Sequence, residues 1–255
     1  MKRIKSCTQI LLAAAMLMVA GQVSANEGGE LPYQFKPDPG NQASVQRGAR
    51  NFMNYCSGCH SMRNLRYNRI GRDLGISDDL VKANLMFTSD KITDHIISAL
   101  PQKEAESWFG KAPPDLTVEA RFRGPDWIYN YLMTFYVDDT RPLGTNNLVL
   151  PNASMPNVMW ELQGLQVLKK ASAAEGEEAA GHGEHEGPQF ESATKGTLSP
   201  EEYKKWAADT TNFMVYAAEP GRAHRIAVGK KVILFLMLFT VLAYFMKREW
   251  WKDVH

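Results

Sequence analysis

Cysteine is almost absent: the 255 residues contain three, Cys7, Cys56 and Cys59. Cys7 precedes a short apolar run and is expected to leave with it. The two that remain stand three apart and cannot form a disulfide framework. The fold therefore rests on core packing and on whatever that pair binds. An excess of one charge is missing as well, with 29 basic residues against 28 acidic. Without Lys2, Arg3 and Lys5 the basic count falls to 26, near a net −2. No nucleic-acid partner is expected from such a balance. Long apolar runs are also scarce; there are two.

The first, residues 10–20, follows Lys2, Arg3 and Lys5 and ends at Val23-Ser24-Ala25. Charged start, apolar middle and small-residue end predict a cleaved secretory signal over 1–25. The run is short for a membrane span. The second, 226–246, is 21 residues, about 30 Å as a helix and enough to cross a bilayer. Lys230 and Lys231 fall in its first turns, where they can snorkel to the interface. Lys247, Arg248, Trp250, Trp251 and Lys252 flank its end, as at a membrane boundary. These signals predict a periplasmic domain over 26–221, a single-pass anchor in the bacterial cytoplasmic membrane and a cytoplasmic tail over 247–255.

Between them lies Cys56-Ser57-Gly58-Cys59-His60. Two cysteines three apart with histidine next is the attachment pattern of a c-type haem. Each thiol adds to one porphyrin vinyl group, and the adjacent imidazole is placed under the iron. A zinc site would want a second Cys or His pair at ligand spacing, which the sequence lacks. A redox dithiol would want a βαβ setting, which the flanks do not suggest.

Residues 26–40 read as an extended lead-in. A helix from Ser44 to Tyr55 is predicted from Val45, Gly48, Ala49, Phe52 and Tyr55, with Gly48 admitting a close neighbour. Arg63, Arg66, Arg69 and Arg72 would align if their stretch were helical. Short helices are expected over 77–85 and 88–100, and an aromatic-rich helix opens at Asp126 and runs to Phe135. A methionine thioether opposite the histidine suits electron transfer. Met53 and Met62 lie too near the motif, and Met133 and Met214 sit in helical stripes. Met155, in the proline-bracketed loop Pro151-Asn152-Ala153-Ser154-Met155-Pro156, is the best candidate; Met159 and His95 are alternatives. Residues 169–197 form a Gly-, Ala- and Glu-rich tract, expected to be a flexible acidic insertion. His182 and His185 within it do not suggest a specific metal site. Ser199-Pro200-Glu201-Glu202 predicts a capped helix reaching Ala218.

The run from Cys56 to Met62, Ala112-Pro113-Pro114-Asp115-Leu116, Ala120-Arg121, Trp206-Ala207, Ala217-Ala218-Glu219-Pro220 and the ending Met246-Lys247-Arg248 with Trp250 resemble the cytochrome c1 family. Members of that family are haem subunits of ubiquinol–cytochrome c oxidoreductase (bc1) complexes. The resemblance implies a mainly α, class I c-type cytochrome-like domain with irregular loops and one C-terminal transmembrane helix. It implies one covalent haem c on Cys56 and Cys59, with His60 and Met155 as axial ligands and Arg121 near a propionate. The implied partners are cytochrome b, a Rieske iron–sulfur protein as donor and a c-type cytochrome as acceptor, in a dimeric complex. The enzyme would be the whole reductase, with no acid–base or nucleophilic chemistry in this chain. An independent membrane-anchored electron shuttle is the alternative. A haem gas sensor would need a signalling module, and the tail after the span is too short for one.

Overall fold

The computed structural model describes residues 31–169 and 190–253. The expected signal over 1–25 and most of the acidic tract lie outside them.

Two helices set the frame. Helix α1 (Gln42–Tyr55) starts at Asn41, whose side chain accepts from the Ser44 N–H. Helix α8 (Pro200–Ala218) starts at the expected capping box: Ser199 and Glu202 bond reciprocally, and Pro200 opens the first turn. They pack face to face through Gly48. A Cβ there would fall 2.0 Å from the Asp209 carbonyl oxygen, so only glycine permits this approach. Phe52 and Phe213 meet at 5.6 Å beside it. Asp209, buried on α8, accepts from Arg47 Nε (2.6 Å), Arg47 Nη2 (2.8 Å) and Ser44 Oγ (2.5 Å), which fixes the register of the pair.

Short elements fill the space between. After α1 come β1 (Met62–Arg66), α2 (Tyr67–Leu74), α3 (Asp78–Leu85), β2 (His95–Ile96), α4 (Gln102–Phe109), α5 (Glu119–Phe122), α6 (Pro125–Met133), β3 (Phe135–Val137), β4 (Thr145–Asn147), α7 (Trp160–Gln163), β5 (Gln166–Leu168) and β6 (Phe190–Ser192). The strands form three antiparallel pairs, β1–β2, β3–β4 and β5–β6. The core runs through Val45, Phe52, Met62, Leu65, Ile70, Phe135, Met159, Tyr203 and Phe213. The mainly α expectation therefore holds.

Four local expectations are corrected. Residues 88–100 are not a helix: Thr88 Oγ1 donates to the Ile97 carbonyl, and Ser89 Oγ accepts from the Lys91 N–H and donates to the Asp94 carboxylate, so side-chain bonds tie the segment into a loop. The segment instead supplies β2. The arginine row does not share one helical face, because Arg63 and Arg66 lie on β1 and Arg69 and Arg72 on α2. Helix α6 stops at Met133. Thr134 Oγ1 donates back to the Asn130 carbonyl, and Phe135 begins β3. Finally, 190–197 does not belong to a flexible insertion. Strand β6 pairs with β5, the Thr197 N–H donates to Glu161, and Gly164 and Gly196 pack backbone to backbone.

The last helix, α9 (Arg222–Trp250), has 29 residues and runs past the expected 226–246 at both ends. None of it is buried, and its apolar window has a mean hydropathy of 2.2. At about 1.5 Å per residue it spans about 43 Å, enough for a bilayer core and its interfaces.

Candidate functional site

The cysteine motif is the turn that ends α1. The N–H groups of Cys56 and Ser57 both donate to the Phe52 carbonyl, and those of Cys59 and His60 to the Cys56 carbonyl at 3.1 and 2.8 Å. Cys56 is buried and Cys59 exposed. Burial pushes the Cys56 thiol up to about 12, unlike the low-pKa thiols of redox dithiols. A thioether, which carries no charge, suits that position.

His60 is 8 % exposed. Its Nδ1 lies 2.8 Å from the Pro114 carbonyl oxygen. A carbonyl only accepts, so Nδ1 carries the proton and Nε2 keeps its lone pair for a metal. Burial lowers the imidazole's proton affinity, opposed by the Pro114 bond and by the charges of Asp115 and Glu119. The neutral, ligating form is the one favoured.

Two segments brace this turn. Ser98 donates through Oγ to the Gly58 carbonyl (2.7 Å), and its N–H donates to Ser61 Oγ (2.9 Å). Residues 114–117 run beside 60–64. The Leu116 N–H donates to Ser61, the Arg63 N–H to Asp115 Oδ2 (2.8 Å) and the Asn64 N–H to Thr117 Oγ1 (3.3 Å). Asp115 Oδ1 takes the Thr117 N–H and hydroxyl. The paired prolines thus present a carbonyl to His60, and Asp115 and Thr117 hold that carbonyl in place.

Met155 is half-buried against the core. Its loop is tied by side-chain oxygens of Asn146 and Asn147 and lies between buried Ala153 and Asn157. Met159, in contrast, is fully buried as core at the start of α7. His95 has one ring nitrogen committed to the Arg63 carbonyl. It lines an open cleft of about 460 Å³ with Arg63, Asp94 and Ile97. Arg121 is exposed on α5, with Nη1 3.5 Å from Glu219 Oε2. The ion pair with the end of α8 is its observed contact. Among the described residues no three His, Cys, Asp or Glu side chains cluster to hold a bare metal ion.

The donor set fits a c-type haem: two thiols on one turn, a buried imidazole with its outer nitrogen fixed, and a thioether in a braced loop. Sequence reasoning missed Ser98, Thr117, Asn146 and Asn147. Only the adjacent asparagines before a proline loop offered a signal.

Comparison with known proteins gives a concordant result. A model described as the Cytochrome C1 family matches residues 38–254. A cytochrome c1 of Allochromatium vinosum is 44 % identical over 97 % of this chain and 99 % of its own length. A protein of Nitrosomonas europaea named ammonia monooxygenase gamma subunit is 40 % identical over 94 % of this chain and 96 % of its own. A cytochrome c1 of Rhodospirillum rubrum is 29 % identical, with 96 % of each chain covered.

Proposed function

The chain belongs to the cytochrome c1 family, and from that premise we propose that it takes electrons from a Rieske iron–sulfur protein and passes them to a c-type cytochrome. Proteins of this family bind one covalent haem c and serve as electron-transfer subunits of bc1-type oxidoreductases. When bound, the haem supplies reversible one-electron ferrous/ferric chemistry.

The chain's own residues do the rest. Cys56 and Cys59 hold the porphyrin by thioethers. His60 Nε2, kept deprotonated and aimed by the Nδ1 bond to Pro114, would ligate the iron. The Met155 thioether would supply a second ligand, and Arg121 would serve a propionate. The buried faces of α1, α6 and α8 would help keep water from a haem held by this turn, which would raise the cost of charge on its iron. Helix α9 anchors the domain in the bacterial cytoplasmic membrane, with residues 26–221 in the periplasm and the tail in the cytoplasm. Cytochrome b is a neighbour, and the complex is a dimer.

The observation that carries this reading is the His60–Pro114 bond on a turn that also holds both cysteines. Purification in mild detergent tests it: cytochrome b and a Rieske protein are expected with the chain. Their absence would favour an independent membrane-anchored shuttle. For the ligand set, Met155→Leu in the purified complex is expected to let the ferrous protein bind CO, which the unsubstituted protein resists. Unchanged CO resistance would remove Met155 from the iron.

A further inference from the structure

The segment that carries Met155 has almost no regular structure, yet its backbone is extensively bonded. The bonds come from two asparagines at the end of β4. Asn147 is fully buried. Its Oδ1 accepts from the N–H groups of Val149 (2.9 Å) and Leu150 (3.2 Å), and its Nδ2 donates to the Tyr131 carbonyl on α6 (2.8 Å). Asn146 is 7 % exposed. Its Oδ1 accepts from the N–H groups of Asn147 (2.9 Å) and Asn152 (2.8 Å), and its Nδ2 donates to Asp138 (2.9 Å). Asn152 has φ 64°, alone among the described non-glycine residues in being positive. Arg141 reaches its carbonyl at 3.4 Å.

A simpler explanation would have the pair serve only the β3–β4 hairpin. That hairpin has its own ladder, with Phe135 opposite Asn147 and Val137 opposite Thr145. Apart from the Asn147 N–H, which ends the strand, the Oδ1 atoms take N–H groups lying beyond it, at 149, 150 and 152. The turn that reverses the chain before Met155 is therefore drawn by side-chain acceptors. The Asn147 N–H is buried and the bonds to Val149, Leu150 and Asn152 are partly so; losing their acceptors would be unfavourable, which favours this loop shape over others.

We propose that Asn146 and Asn147 are positioning residues for the sixth ligand, holding the 148–153 turn in the one form that presents Met155 to the iron. This rests on the reading of Met155 as that ligand. Neither asparagine touches the iron; they act through the loop backbone, while the Asn147 and Asn146 amide groups fasten it to α6 and to Asp138. Asn147 also takes a long bond from Thr134 Oγ1, at 3.4 Å.

The test uses the full chain purified with its partners, reading CO binding by the ferrous protein and the sulfur-to-iron charge-transfer absorption of the ferric protein. Asn147→Ala is expected to raise the CO-binding fraction about tenfold and to weaken the absorption in step, as a loosened ligand requires. Asn147→Asp keeps both acceptor bonds to the loop but sets a carboxyl oxygen against the Tyr131 carbonyl, and its CO-binding fraction is expected to rise less than that of Asn147→Ala. Equal losses in the two variants would overturn the proposal, since attachment to α6 would then be what matters. So would CO resistance in Asn147→Ala beside free binding in Met155→Leu, which leaves the Met155 reading standing. Unchanged behaviour in Met155→Leu would overturn both. Should Asn147→Ala fail to accumulate, Asn146→Ala removes the acceptor for Asn152 and is expected to show the same gain in CO binding; parent-like resistance there overturns the proposal.

Discussion

Gly48→Ala is the sharpest test of how the haem-bearing turn is supported. In an isolated helix the change is favourable by about 1 kcal/mol, because alanine is the better helix former. In this protein the new Cβ would sit 2.0 Å from the Asp209 carbonyl oxygen and 2.7 Å from the Phe213 Cβ. Neither neighbour is a flexible side-chain end. Restoring ordinary contact requires α1 and α8 to part by about 1.4 Å at this point. That separation strips packing around Phe52 and Phe213 and stretches the Arg47–Asp209 bonds of 2.6 and 2.8 Å. Overpacking of this kind costs about 1–3 kcal/mol, and the rigid backbone contact puts it at the upper end. After the propensity gain the net loss is about 2 kcal/mol, a fall in Tm of about 4–8 °C for a domain of this size. Thermal unfolding followed at the haem absorbance measures it. Asn54→Ala, exposed on the same helix, is the control and is expected to hold or raise the Tm. A Gly48→Ala protein at least as stable as the parent would refute the close helix contact. Because α1 ends at Cys56, haem content is also expected to fall in Gly48→Ala and not in the control.

Other substitutions probe the remaining supports. Arg47→Met leaves Asp209 buried with Ser44 as its remaining side-chain donor, and chemical unfolding is expected to show a loss of about 2 kcal/mol. Ser199→Ala removes the hydroxyl half of the capping box on α8 and leaves the backbone N–H bond to Glu202, a loss of about 1 kcal/mol in the same measurement. Asp115→Asn takes a negative charge from beside His60 and an acceptor from the 114–117 brace. Redox titration is expected to give a higher midpoint potential by roughly 20–60 mV, a two- to tenfold change in the ferrous/ferric ratio. Glu219 is held below the ordinary carboxylate range, chiefly by its bond from Arg225. A depressed carboxylate lends stability above its unfolded pKa and loses it as pH falls through the folded one. Acid is therefore expected to loosen the α8–α9 joint and speed proteolysis after Arg222 and Arg225, with Glu219→Gln already fast at neutral pH.

What could be read from the chain divides by the range of the interactions. Cys56 to His60 announces its chemistry because the spacing itself is the requirement. The cap of α8 is similarly local, and Gly48 was legible because a small residue in an apolar helical face has few other uses; the Asn41 cap of α1 was not foreseen. The braces were hidden for the opposite reason. Ser98 meets Gly58 and Ser61 across about forty positions, and Pro114 meets His60 across 54. No periodicity encodes a serine hydroxyl bonding a distant carbonyl. Residues 88–100 misled because Ile92, His95 and Ile96 fit a helical spacing, while the Thr88 hydroxyl bonds the Ile97 carbonyl and Ser89 bonds the Lys91 N–H and the Asp94 side chain. The β5–β6 pair was masked by the acidic composition between its two strands.

The two faces of the site draw on different parts of the fold, and α8 is what makes them one object. The proximal side is built near α1, which lies along α8 through Gly48 and Asp209. The Met155 side is built on β4 and α6, and α6 is joined to α8 where the Tyr203 hydroxyl donates to the Leu132 carbonyl at 2.7 Å. The same helix then hands over to the membrane anchor within three residues, where Glu219 binds both Arg121 of α5 and Arg225 of α9. A shift of α8 would therefore disturb the His60 turn, the Met155 loop and α9 together, whereas a shift in any loop disturbs one. With Met155 as the proposed sixth ligand, coupled losses are expected: Gly48→Ala should weaken that ligation as well as haem retention, although Gly48 lies on the His60 side. CO binding by the haem that Gly48→Ala retains reads that coupling directly. Parent-like resistance would show that the two sides are supported independently.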